Sequence, residues 1–203
     1  MAAQVPDSIF LNRSTTTLLL VDHQVGLLSG VRDIKTSELK ANLVALVRCA
    51  KLLGVPVVAT NVAPEMWGPL LPEVAAELSG QRVIERTLVN AWDEPKVVDA
   101  IARTGRKQLL IAGISLEVCA AFPALSAKAA GYDARVVVDA SGTFNDAKRQ
   151  TGLIRLQMAD VQVVDYATAA TELLHDNADP VAAPVYGAMN MDFATIVYQL
   201  KNS

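Results

Sequence analysis

Four short apolar runs, LLLVD (18–22), VVAT (57–60), LLIAG (109–113) and VVVDA (136–140), show no alternation of apolar with polar residues. A strand solvated on one face alternates with a period of two, so strands without alternation are covered on both faces. Between these runs the apolar period changes. TSELKANLVALVRCAKLLG (36–54) sets Leu39, Leu43, Leu46, Val47, Ala50 and Leu53 on one helical stripe. LLPEVAAELSG (70–80), EPKVVDAIARTG (94–105) and NDAKRQTGLIRLQMAD (145–160) read as further helices, and VQVVDY (161–166) as another strand. Buried strands separated by helices predict an α/β fold, a three-layer, doubly wound, mostly parallel sheet. One domain is expected over residues 1–203. Its last part, about 177–203, turns apolar again at Phe193, Ile196, Val197 and Leu200, which predicts packing on the domain or on a neighbouring subunit.

A length of 203 residues with 52% hydrophobic and 19% charged residues suits one sizeable core. The net charge of −3 gives no basic footprint, so neither nucleic acid nor an anionic membrane is the expected partner. MAAQVPDSIF has no basic lead and no apolar h-region, and no run approaches the ~18 apolar residues of a spanning helix. A cytoplasmic location is expected. Cys49 and Cys119 lie far apart in different settings, which suits a reducing compartment. Neither a GxGxxG nor a GxxxxGK[ST] loop occurs, and no His or Cys pair has metal-ligand spacing, so no cofactor and no metal are expected.

The segment with most chemistry is KQLLIAGISLEVCAAFPALSAKAAG (107–131), read as a buried strand, a tight crossing and a helix over 119–130. It puts Cys119 in a first helical turn, where free N–H groups and the helix dipole should lower its pKa and expose a thiolate. Amides of the crossing, at Ser115 and Leu116, could serve an oxyanion. The alternative is a small apolar side chain filling space under the helix. Asp22 ends the first strand and so faces the crevice beyond the strand carboxyl ends, as a general base or as a turn cap. His23 neighbours Asp22 and points to the other face, and His175 falls in the late helix ending LLHD, so a Cys-His dyad is not expected.

LLLVDHQVGLLSGVRDI, the AWDE segment and LIAGISLEVCAAFPALSAKAAGYDARVVVDASGTFN resemble the isochorismatase-like cysteine hydrolases, and within them the YcaC-like branch, over roughly residues 14–175. The resemblance implies a doubly wound sheet and an Asp, Lys, Cys triad acting on amide-like C–N bonds. By position, Asp22 becomes the base and Cys119 the nucleophile. It also implies a cis peptide between Ile114 and Ser115 that aims the Ser115 amide, with that of Cys119, at the oxyanion. YcaC-like proteins are octamers of two rings, so a homo-oligomer is expected, with a small molecule as the other partner.

Two departures stand out. Arg86 falls nearest the family lysine, and arginine keeps its charge, so it can hold an anion but cannot shuttle a proton. Read without the resemblance, Arg86 is a surface charge or a partner of Glu85 or Glu94. Leu116 stands where amide-hydrolysing relatives carry threonine. The Asp and His metal pattern of nicotinamidases is missing, and the cysteine argues against isochorismate itself. Gln24, Asn61, Glu65, Trp67, Asn90, Trp92 and Leu116 are the candidate pocket residues; for Trp67 and Trp92 a core role is the alternative. Besides a hydrolase, two readings stay open: a non-catalytic or redox-responsive oligomer with a reactive thiol, and a flavodoxin-like nucleotide binder.

Overall fold

A computed structural model of the chain describes residues 9–191; the apolar tail positions Phe193, Ile196, Val197 and Leu200 lie outside the described residues. The non-alternating runs form the middle of the sheet. β1 (Thr16–Val21) is buried at all six positions, and α1 (Val25–Leu28) and α2 (Thr36–Leu52) follow it. β2 (Val57–Val62), α3 (Pro64–Trp67), α4 (Pro72–Glu77), β3 (Val83–Arg86) and α5 (Pro95–Ala102) complete the first half. β4 (Gln108–Gly113), again buried throughout, leads through a π turn at Leu116–Ala120 into α6 (Ala121–Ala129). β5 (Asp133–Val137), α7 (Asp146–Met158), β6 (Gln162–Val164), α8 (Tyr166–Leu174) and α9 (Ala182–Met189) close the described chain.

The six described strands pair in parallel in the order β3-β2-β1-β4-β5-β6. This is a doubly wound α/β sheet between helix layers. One face packs on α2, α4, α8 and α9 through Leu43, Leu46, Leu71, Val74, Leu173 and Val185. The other packs on α5, α6 and α7 through Val97, Ile101, Ala124, Ala127 and Leu156. The chain winds from β1 toward one edge, then from β4 toward the other, so the order reverses between them. At that reversal helices leave on opposite faces and open a crevice at the strand carboxyl ends.

Some elements differ from the sequence reading. β3 lies inside the VIERTLVNAW stretch and went unread because four residues with an exposed Glu85 carry little pattern. The strand expected over VQVVDY does form, as the edge strand β6 with Gln162 and Val163 exposed. α8 stops at Leu174, and His175 is its C-cap at φ 66°, not a helical residue. α9 forms in the Ala- and Pro-rich stretch through Val185 and Met189, which are buried against α2 and α8. The helix expected from 119 begins only at Ala121, after the π turn.

Candidate active site

Asp22 follows the last residue of β1 at φ 60°, a left-handed conformation uncommon outside glycine, and this takes the chain off the strand. Its side chain is fully buried. Thr60 Oγ1, from β2, donates to Asp22 Oδ1 at 2.9 Å, and Arg86 Nη2, from the end of β3, donates to Oδ2. The Cys119 thiol lies beside the same carboxylate, near enough that each group shifts the other's proton affinity. Arg86, also fully buried, turns its other arm to the carbonyls of Leu88 and Val89, the latter at 3.1 Å. Three adjacent strands thus converge on one carboxylate, and β4 brings the sulfur from the other side of the reversal. Arg86 is not a surface charge, and neither Glu85 nor Glu94 is its partner: a buried guanidinium needs a buried counter-charge, and Asp22 supplies it.

The turn that carries Cys119 folds back on its own strand. A Cβ at Gly113 would stand 3.0 Å from Ala120 N and from Cys119 C, and 3.1 Å from Val21 O, so only glycine permits the approach. The Ile114–Ser115 peptide is cis. The carbonyl of Ser115 accepts from Ala120 N–H at 3.2 Å, and the Ser115 backbone sits close enough to the Cys119 sulfur to pull its proton affinity down a little. One expectation fails here. Cys119 is 9% exposed, and burial, followed by the charge and hydrogen bond of Asp22, raises its thiol well above the ordinary cysteine range, against smaller opposing effects of Arg86 and the Ser115 amide. Desolvation disfavours the thiolate more than the start of a helix favours it. Burial also raises the Asp22 carboxyl, while Arg86, Thr60 and the thiol pull it back. At rest the sulfur is therefore a thiol, beside a carboxyl group whose proton affinity is raised.

The candidate pocket residues separate. Gln24 is fully buried and spent: its Nε2 donates to Val62 O at 3.1 Å and Gly68 O at 2.7 Å, and its Oε1 accepts from Val62 N–H at 3.0 Å. It braces the roof and does not line a pocket. Glu65 and Trp67 sit on α3, which follows β2 at the site end, and both are exposed at the rim. Strand alternation puts Asn61 on the face opposite Thr60, and its Oδ1 is buried without a partner. Leu116 is fully buried, close enough to Gly152 of α7 that a Cβ there would stand 2.7 Å from its Cδ2. Asn90 caps the 3₁₀ turn Ala91–Asp93 by accepting from Trp92 N–H at 3.1 Å, and donates to Ser126 Oγ at 3.1 Å. Trp92 does not belong with the crevice. Its ring meets Tyr132 edge-on at 5.3 Å, and Tyr132, with Lys107 over its face, sits where β5 and β4 begin, at the far end of the sheet. Packing of the α5–α6 layer claims that tryptophan.

Surface cavities of about 470, 320 and 480 Å³ lie elsewhere, and none is lined by Asp22, Arg86 or Cys119. Among the described residues no group of three or more His, Cys, Asp or Glu side chains is placed to hold a metal ion. Thr60 is the site residue that the sequence reading missed; the polar residue closing the otherwise apolar VVAT run was its signal.

His23 takes no part in this chemistry. Its Nε2 is 3.0 Å from Ala140 O, its Nδ1 is buried without a partner, and burial lowers its pKa to about 4. The unfolded chain takes up a proton below the ordinary histidine value of about 6.5, while the folded chain waits until about 4. Stability is therefore lost as pH falls through that window, by about 3 kcal/mol in all. Urea unfolding at a series of pH values between 7 and 4 should show this loss in the parent and not in His23→Gln. Equal pH slopes in the two proteins would contradict it.

The sequence matches the Isochorismatase domain over residues 16–168. It is 45% identical over 168 residues to "Probable hydrolase YcaC" of Escherichia coli (strain K12), covering 82% of this chain and 81% of the relative. The Escherichia coli YcaC structure, described as an octameric hydrolase of unknown specificity, superposes with a TM-score of 0.91 at 39% identity, over 98% of this chain and 99% of that one. YcaC from Pseudomonas aeruginosa, solved with hexane-2,5-diol and covalent acrylamide, gives 0.90 at 36%, over 95% and 98%. With a domain match that spans most of its length and relatives this similar over nearly the whole fold, the chain belongs to the isochorismatase family.

Proposed function

We propose that this protein is a YcaC-like cysteine hydrolase that attacks a small amide, carbamoyl or nitrile-like carbon through Cys119. The observation that carries the reading is the placement of Cys119, in the turn after β4, beside the buried Asp22 carboxylate at the strand-order reversal, with the Ser115 backbone next to the same sulfur. For an amide, the Sγ–C bond forms as the thiol proton passes to Asp22, and the carbonyl oxygen becomes an oxyanion beside the Ser115 N–H. The oxyanion collapses, the C–N bond breaks, and Asp22 returns the proton to the departing amine. Water then adds to the thioester, giving a proton to Asp22, which hands it back as the S–C bond breaks. Arg86 stays charged throughout and holds Asp22 in place.

The description of the Escherichia coli relative as a probable hydrolase and the covalent acrylamide in its Pseudomonas counterpart support this reading. The near-complete burial of Cys119, 9% exposed, favours small substrates. Octameric assembly of the Escherichia coli relative supports a homo-oligomer here, beyond the 21.6 kDa chain. A redox role lacks a second thiol: Cys49 lies in the opposite core cluster, its Sγ 3.7 Å from Val185 O. The test is an ammonia-release screen of small amides, carbamoyl compounds and nitriles, with native mass spectrometry to count chains. The parent should turn over at least one class as an oligomer, and Cys119→Ala none. Turnover at the parent rate in Cys119→Ala, or a monomer in solution, would overturn the corresponding part.

A further inference from the structure

We infer that Glu117 and Thr143 form a positioning pair that sets the Cys119 nucleophile and anchors it to α7 through Asp33 and Arg149; this rests on the reading of Cys119 as a nucleophile. Glu117 lies two residues before Cys119, in the same π turn. Thr143, fully buried in the loop after β5, donates Oγ1 to Glu117 Oε2 at 2.6 Å. Its own N–H donates to Asp33 Oδ1 at 2.7 Å, and the other oxygen of that buried carboxylate takes Arg149 Nη1 at 2.7 Å. Arg149 Nη2 then donates to Val138 O at 2.9 Å, which ties the chain of bonds to the end of β5. A second tie runs beside the first, from Leu116 N–H to Gly142 O at 3.0 Å.

Helix α7 closes the clamp from outside. Gly152 lies one turn beyond Arg149, and a Cβ there would stand 2.9 Å from Glu117 Cβ and 2.7 Å from Leu116 Cδ2. The loop and α7 therefore grip the same short turn, one by hydrogen bonds and the other by contact. The need for such a grip is local. A π turn is short and uncommon, and it is frequent at functional sites. The sulfur it carries must meet Asp22 and the Ser115 amide together. None of the clamp residues hydrogen-bonds to Asp22 or Arg86, so their effect on the sulfur is through its backbone.

The test labels Cys119 with acrylamide in a Cys49→Ser background and compares Thr143→Val, Thr143→Ser and Glu117→Ala. Because misplacing a reacting atom by about 1 Å can cost about 100-fold, Thr143→Val and Glu117→Ala should slow labelling of the folded protein roughly 10- to 100-fold. Thr143→Ser keeps the hydroxyl and should react within about threefold of the parent. Glu117 is only partly buried, so Glu117→Ala carries the test if Thr143→Val does not fold. Parent-like labelling in Thr143→Val or Glu117→Ala, or Thr143→Ser as slow as Thr143→Val, would overturn the positioning role while leaving the nucleophile intact. A parent no more reactive than the unfolded chain would instead overturn the nucleophile reading and this inference with it.

Discussion

Asp22→Asn slows covalent capture at Cys119 by roughly 100-fold or more, the usual contribution of a positioned general base. The expectation follows from the state of the thiol. Burial and the neighbouring carboxylate keep Cys119 protonated, so the proton must have somewhere to go when sulfur attacks. Asparagine retains the size and can still meet Thr60, but it cannot take that proton. Sequence alone suggests that this variant keeps its stability. The structure says otherwise, because Arg86 would remain fully buried with its counter-charge gone. Rates must therefore be measured on the folded fraction, with added urea curves to define it. A folded Asp22→Asn protein that reacts as fast as the parent would reduce Asp22 to a structural cap.

Arg86→Ala costs about 3–5 kcal/mol of folding stability, the range for breaking a buried ion pair from one side. Both side chains are fully buried, so no solvent screens the carboxylate that is left behind. The same change frees the Leu88 and Val89 carbonyls that Nη1 holds. Arg86→Lys should recover part of the loss, since an ammonium supplies the charge without the planar fork that reaches both sides. Replacing both partners, as Asp22→Leu with Arg86→Met, should recover more stability than either single change retains, with activity absent. Urea unfolding of the four proteins decides this. A loss under about 1 kcal/mol in Arg86→Ala would place the pair among ordinary surface ion pairs and contradict the burial.

The central strands and the layer order were legible because β1 and β4 carry unbroken apolar runs, LLLV and LLIA, which burial on both faces explains. β3 was harder, being a short edge strand whose exposed Glu85 blurs any pattern, while β6 was legible at VQVVDY although it too lies at an edge. Asp22 and Cys119 could be placed in the crevice by chain order, since each follows a central strand. Arg86 was placed near the family lysine by resemblance, but its pairing with Asp22 shows only in three dimensions, where β2 lies between its strand and Asp22. The direction of the thiol shift was misread for a physical reason: the helix-start argument counts local dipoles, while burial and a carboxylate 97 positions away in sequence decide the balance. Trp92 was misplaced because the 3₁₀ turn after β3 carries it to Tyr132, at the opposite end of the sheet.

The most direct measurement of the nucleophile assignment is the site and rate of acrylamide addition to the native protein in a Cys49→Ser background. Peptide mass mapping locates the adduct, and the same chain unfolded in urea gives the reference rate at one pH. The predicted result is a single adduct on Cys119 that forms faster in the folded protein than in the unfolded chain, because Asp22 accepts the thiol proton in place. An adduct that forms only after unfolding would mean that Cys119 is a buried apolar side chain, and would contradict the account.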